Sequence, residues 1–113
     1  MYKYSVCVEF EDVDSYGIAH HTKILAYLER ARVHFFVDKG VDLENFPYGL
    51  VIRNINMQFK LPLLMLDKVD IEVRVKSIDK LRFEWEYRVL KEEKLAVYAV
   101  IEQVVISTKD KRL

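Results

Sequence analysis

Within Glu11-Asp12-Val13-Asp14-Ser15-Tyr16-Gly17-Ile18-Ala19-His20-His21-Thr22, acidic side chains, a glycine and two adjacent histidines lie directly ahead of a long apolar run. A loop carboxylate can act as base or nucleophile. A helix N-terminus offers backbone N–H groups with no intrahelical acceptor, which stabilise a developing oxyanion. Together these are the tools of acyl transfer. By residue type alone, plainer readings stand beside this one. Asp14 is also an ordinary turn-fixing residue, since aspartates before a helix often bond their own backbone. Asp12, Asp14, His20 and His21 are potential metal ligands, but zinc-like spacings are absent and adjacent histidines rarely converge on one ion. Cys7 lies mid-strand with no nucleophile signature around it and reads as a packed thiol.

The surrounding pattern must position these groups. Tyr2, Tyr4, Val6, Val8 and Phe10 alternate with Lys3, Ser5, Cys7 and Glu9, the mark of a half-buried strand. The run from Lys23 to Lys39 predicts a helix, with Thr22 as N-cap and Gly40 as its stop. Ile24, Tyr27, Leu28, Ala31 and Phe35 form one apolar stripe. Leu25, Val33, Phe36 and Val37 widen it and predict a helix buried around most of its circumference. Strand patterns follow: Leu50 to Leu61, ended by Pro62; Val69 to Val75; Phe83 to Val89; and Leu95 to Ile106, whose weak alternation predicts burial on both faces. Ser77-Ile78-Asp79-Lys80 and Lys91-Glu92-Glu93-Lys94 read as turns. Short turns make neighbours antiparallel, so the pattern predicts an α+β domain with a five-stranded sheet wrapped around one helix. Such a single layer leaves open edges that a second copy would cover.

A chain of 113 residues holds one domain spanning residues 1–113, and 51% apolar composition makes it globular. The 18 basic and 18 acidic side chains cancel, so no electrostatic footprint for nucleic acid is visible. One cysteine rules out an internal disulfide and suits a reducing compartment. With no membrane-length apolar run and no signal-peptide pattern, the expectation is a soluble cytoplasmic protein.

The order β-α-β-β-β-β carries Asp12-Val13-Asp14-Ser15-Tyr16-Gly17-Ile18 into the helix and Tyr27-Leu28-Glu29-Arg30-Ala31-Arg32 within it. With Val51-Ile52-Arg53, Phe59-Lys60-Leu61-Pro62 and Asp67, it resembles the hotdog-fold acyl-CoA thioesterases, in particular the 4-hydroxybenzoyl-CoA thioesterase and YbgC-like subgroup. The resemblance covers essentially the whole chain. It implies a homo-oligomer (dimer or tetramer) that needs no cofactor or metal and hydrolyses acyl-CoA to a free acid and CoA. By the same resemblance Asp14 is the nucleophile or general base, the His21 backbone N–H is the oxyanion donor, and Asp12 is structural. Tyr16 and Gly17 border the substrate, with Gly17 letting the loop approach it. Glu29, paired with Arg32, is a candidate for the site wall. Arg53, Lys80 and Arg82 are candidates for the CoA phosphates, because a multiply charged nucleotide needs cations at the pocket mouth. The apolar run from Leu61 to Leu66 is a further candidate for the acyl pocket or an oligomer contact. Two alternatives remain: a hotdog acyl dehydratase or hydratase, whose His-Phe-Pro segment is absent here, and a non-catalytic acyl-CoA-binding protein.

Overall fold

Strand β1 (Tyr2–Cys7) leads into a single 3-10 turn over Phe10–Asp12 and then into helix α1 (His21–Asp38) in the computed structural model, which describes residues 1–107. Strands β2 (Tyr48–Phe59), β3 (Lys68–Asp79), β4 (Arg82–Lys91) and β5 (Lys94–Ser107) follow. All pair antiparallel in one sheet of order β1-β3-β4-β5-β2, so the first two strands of the chain form its edges.

Alternation decides what each face does. Val69, Ile71 and Val73, then Trp85, Tyr87 and Val89, then Val97, Ala99 and Ile101 all point inward. Ile24, Tyr27, Leu28 and Ala31 of α1 complete the core above them. The opposite face is polar. Arg74 pairs with Glu86, Arg88 with Glu72, and the Tyr98 hydroxyl also donates to Glu86. Helix α1 lies over the β1–β3 half of the sheet rather than over β2.

Several sequence expectations are corrected here. Phe10 is not in the strand: Glu9 donates its N–H to Asp12 Oδ2 at 3.0 Å, the chain turns, and Phe10 is left 80% exposed. The helix begins at His21 and its N-cap is His20, not Thr22, because the Asp12 carbonyl takes the His20 N–H and holds that residue extended. Gly40 ends the helix as predicted, at φ +81. Val33 and Val37 are exposed, so α1 buries only the faces turned to its own sheet. Strand β5 is buried on its inner face, while Tyr98, Val100 and Glu102 opposite are only half-buried. The β3–β4 turn sits at Lys80-Leu81, later than its sequence suggested, with Lys80 at φ 57. A bulge in β2 leaves Arg53 unpaired between Ile52, opposite Gln103, and Asn54, opposite Glu102.

Candidate active site

Asp14 stands at the corner of a tight loop. Its Oδ1 accepts the N–H of Tyr16 at 2.8 Å and of Ile18 at 3.2 Å, and its own N–H donates to the Ile18 carbonyl at 2.9 Å. Oδ2 has no hydrogen-bond partner among the described residues. One oxygen thus fixes the loop and the other is available. Gly17 holds φ +75 in this turn, and no heavy atom lies within 4 Å of where a Cβ would sit. Within the chain itself, the requirement for glycine is therefore conformational rather than steric. Val13 bridges to Ala19 and Ile18 to Leu64, while the Ala19 N–H donates to the Leu63 carbonyl at 2.8 Å. The loop is stitched on one side to the segment after β2 and on the other to the helix.

Asp12, two residues earlier, is spent on that stitching. It is buried, and its Oδ2 accepts the Tyr27 hydroxyl at 2.6 Å as well as the Glu9 N–H. Burial alone would raise its pKa, but these bonds, with Lys23 and Arg30 nearby, hold it below the usual carboxylate range. The same burial and the same bond push the Tyr27 phenol well above its usual range. The structural role implied for Asp12 fits this geometry.

Where the loop, the first turn of α1 and the end of β2 meet, a groove of about 350 Å³ opens, lined by Ile18, Ala19, His21, Ile24, Phe59, Lys60, Leu61, Pro62 and Leu63. No side chain caps α1, and the N–H groups of His21 and Thr22 have no acceptor among the described residues. The His21 side chain is itself exposed. Asp14, Tyr16 and Gly17 are carried on the rim loop but are not among the lining residues, and Tyr16 is 85% exposed. Of the apolar run after β2, Leu61 and Leu63 line the groove, whereas Leu64, Met65 and Leu66 are exposed beside it.

The remaining candidates lie elsewhere. Glu29 is exposed and makes no ion pair with Arg32, which corrects the expected wall pair. Arg32 is instead buried, donating to the Tyr87 hydroxyl at 2.7 Å. Arg53 and Arg82 converge on Glu102, at 3.5 and 3.9 Å, and Lys80 adjoins them at the β3–β4 turn. Lys80 and Arg82 are at the end of the sheet opposite the groove within one chain, and Arg53 is midway along β2. The cation that does line the groove is Lys60, which the sequence reading passed over although it follows the strand directly. Cys7 is half-buried, and burial together with Glu9 pushes its thiol up, away from nucleophile chemistry. Among the described residues no group of three or more His, Cys, Asp or Glu side chains is arranged to hold a metal ion.

An antiparallel sheet around one helix, with an acidic loop feeding the open N-terminus of that helix, defines the hotdog class of thioesterases. The profile described as the Thioesterase-like superfamily matches residues 8–113, and the chain belongs to that family. It is 30% identical over 94 residues to a protein of Aquifex aeolicus (strain VF5) provisionally named an esterase, covering 76% of this chain and 70% of that one. It is 25% identical over 83 residues to the acyl-CoA thioester hydrolase YbgC of Escherichia coli O157:H7, covering 69% of this chain and 60% of the relative. Among solved structures, a gentisyl-coenzyme A thioesterase superposes with a TM-score of 0.88 at 25% identity, over 95% of this chain and 89% of its own. No helix among the described residues is long and apolar enough to cross a membrane.

Proposed function

We propose that the protein hydrolyses acyl-CoA thioesters, with Asp14 as the reacting carboxylate and the N-terminus of α1 as the oxyanion site. The observation that carries this reading is the groove at an uncapped helix start, rimmed by a loop in which Asp14 Oδ1 is tied down and Oδ2 is not. The thioester carbonyl oxygen accepts the His21 N–H, so the charge that develops on it meets a dipole already oriented towards it. Asp14 Oδ2 either attacks the carbonyl carbon, expelling CoA as thiolate and leaving an anhydride that water opens, or removes a proton from the water that attacks. Family membership supports the reaction class, and the geometry is compatible with both routes.

The partner in this reading is a second copy. Strand β2 is a long edge with Ile55, Phe59 and Tyr48 exposed, the kind of edge that a soluble protein covers. Antiparallel pairing of two such edges runs the Tyr48 end of one strand beside the Phe59 end of the other. Lys80 and Arg82 of one copy, at the Tyr48 end of the sheet, then approach the groove of its mate, where they would meet the CoA phosphates alongside Lys60, while Arg53 stays midway along the strand. The lone cysteine fits a cytoplasmic setting.

The test is free-thiol release from short, medium, long and aromatic acyl-CoAs, with Asp14→Asn run in parallel. The expected result is turnover that the variant loses while keeping its fold. Turnover that persists in the variant would remove Asp14 from the site, and silence across the whole panel would favour an acyl-CoA-binding role.

A further inference from the structure

The segment between β2 and β3 serves both the groove and the acidic loop. Leu61, Pro62 and Leu63 line the groove, and Leu64 bridges to Ile18. Around that bridge the Ala19 N–H donates to the Leu63 carbonyl at 2.8 Å, and the Met65 N–H to the Gly17 carbonyl at 3.3 Å. Ile18 in turn holds Asp14 from two sides. Its N–H reaches Asp14 Oδ1 at 3.2 Å, and its carbonyl accepts the Asp14 N–H at 2.9 Å. A shift of Leu64 is therefore passed to Asp14 through one intervening residue.

Leu64 is itself fixed by Asp67. Asp67 Oδ2 accepts the Leu64 N–H at 2.8 Å, and the Asp67 N–H donates to the Leu64 carbonyl at 3.0 Å. The same Oδ2 lies 2.7 Å from Lys91 Nζ, which also donates to the Pro62 carbonyl at 3.2 Å. Lys91 ends β4, paired with Val69 of β3 and Lys94 of β5, so it ties this turn to the body of the sheet. Its side chain is 21% exposed and that of Asp67 23%, against 46% for Arg74 and 47% for Arg88 in the pairs on the outer face. Water and salt therefore screen it less. Burial opposes ionisation of Asp67, yet the bonds from Lys91 and Leu64 hold its carboxyl below the usual range. The turn needs such a clamp. Leu66 adopts φ 70, a conformation costly for a bulky side chain and kept only where neighbouring contacts hold it.

We propose that Asp67 and Lys91 form a positioning pair that sets, through Leu64 and Ile18, where Asp14 stands relative to the groove. Neither residue lines the groove, so both act through the loop. The consequence for hydrolysis rests on the thioesterase reading, while the mechanical link from Lys91 to the Asp14 loop does not. Misplacing a reacting group by about 1 Å can cost on the order of 10²-fold in rate, which makes a clip outside the groove matter to kcat.

The experiment measures kcat and KM separately for octanoyl-CoA and benzoyl-CoA in the wild type, Asp67→Asn, Lys91→Met, the double variant and Lys91→Arg. Amide exchange at Ile18 and Ala19 is followed by NMR on the same proteins. The expected result is a fall in kcat of about tenfold to 10²-fold in each of the first two variants, with KM changed by less than about threefold. The double variant should be no worse than the poorer single, because the two residues act as one unit. Lys91→Arg keeps the cation and should recover most of the rate. Exchange at Ile18 and Ala19 should quicken as kcat falls, while the Val89 amide in β4 keeps its protection. Lys91→Met leaves the Leu64 bond to Asp67 in place, so it reports the link even if Asp67→Asn fails to fold. In a wild type that turns over neither thioester, quickened exchange confined to this loop would support the link and count against hydrolysis. A lower melting temperature with kcat and loop exchange unchanged would overturn the proposal and leave the pair a purely structural clip. Losses that add in full in the double variant would overturn it as well.

Discussion

The flank of α1 that faces β1 is finished, and the flank that faces β2 is not. On the first, Tyr27 meets Asp12, His34 stacks on Tyr4, and Phe35 lies edge-on to Tyr2. On the second, Arg32 bonds the Tyr87 hydroxyl, Glu29 is exposed, and the groove lies open at the helix start. Asp12 and Asp14 repeat the contrast two residues apart. One carboxylate is buried in service of the fold, while the other keeps an oxygen free. The lesson is that a small domain separates stability from chemistry by side. Groups that hold the loop and helix in place are satisfied internally, and groups left unsatisfied are those that an incoming molecule can complete.

If that division is real, substitutions on the two sides should fail in different ways. The largest effect belongs to Asp14→Asn, where turnover is expected to fall by about 10²–10⁴-fold, the range for losing a positioned base, with the melting temperature essentially unchanged. A fall in stability comparable to the fall in activity would erase the distinction. Leu28→Ala, under the finished region of the helix, is expected to cost about 2–5 kcal/mol in urea unfolding, because Leu28 is fully buried and its neighbours fill the space around it.

Tyr27→Phe leaves Asp12 buried without its hydroxyl donor and should cost about 1–3 kcal/mol, with acyl transfer weakened only as far as the loop moves. The sign of the pH dependence follows from the depressed pKa of Asp12. Its contribution is fully present above the unfolded aspartate value, near about pH 4, and is lost as pH falls through the lower folded value. Acid titrations of stability should therefore be flatter for Asp12→Asn than for the wild type over that window. The smallest effect is on the outer face of the sheet. Arg88→Ala breaks the exposed pair with Glu72 and should change stability by no more than about 1 kcal/mol, less still in high salt.

Much of this was legible in the sequence because strands with one buried face announce themselves. The alternation through Val69, Ile71 and Val73 gave the correct face for β3, and the acidic loop leads to the helix end where the groove opens. What escaped depends on partners far away along the chain. Helical spacing puts Glu29 and Arg32 on neighbouring positions, but the buried one is chosen by Tyr87, 55 residues later. Phe10 continues the alternation of β1 perfectly on paper, and only the Glu9–Asp12 turn removes it. Arg53 and Lys60 are both cations of the same segment, yet one is held midway along β2 against Glu102 and the other lines the groove.

The unpaired residue in β2 acts as a shift of reading frame. Ile52 points inward from an even position, whereas Ile55, Met57 and Phe59 point inward from odd ones, and Arg53 is the extra letter that reconciles them. Drawing Arg53 into the ladder with every residue kept would turn Phe59 to the polar side and present Gln58 to the groove, whereas deleting Arg53 would leave both where they are. The wall of the groove is thus set by which residue is looped out of the ladder rather than by that residue's side chain.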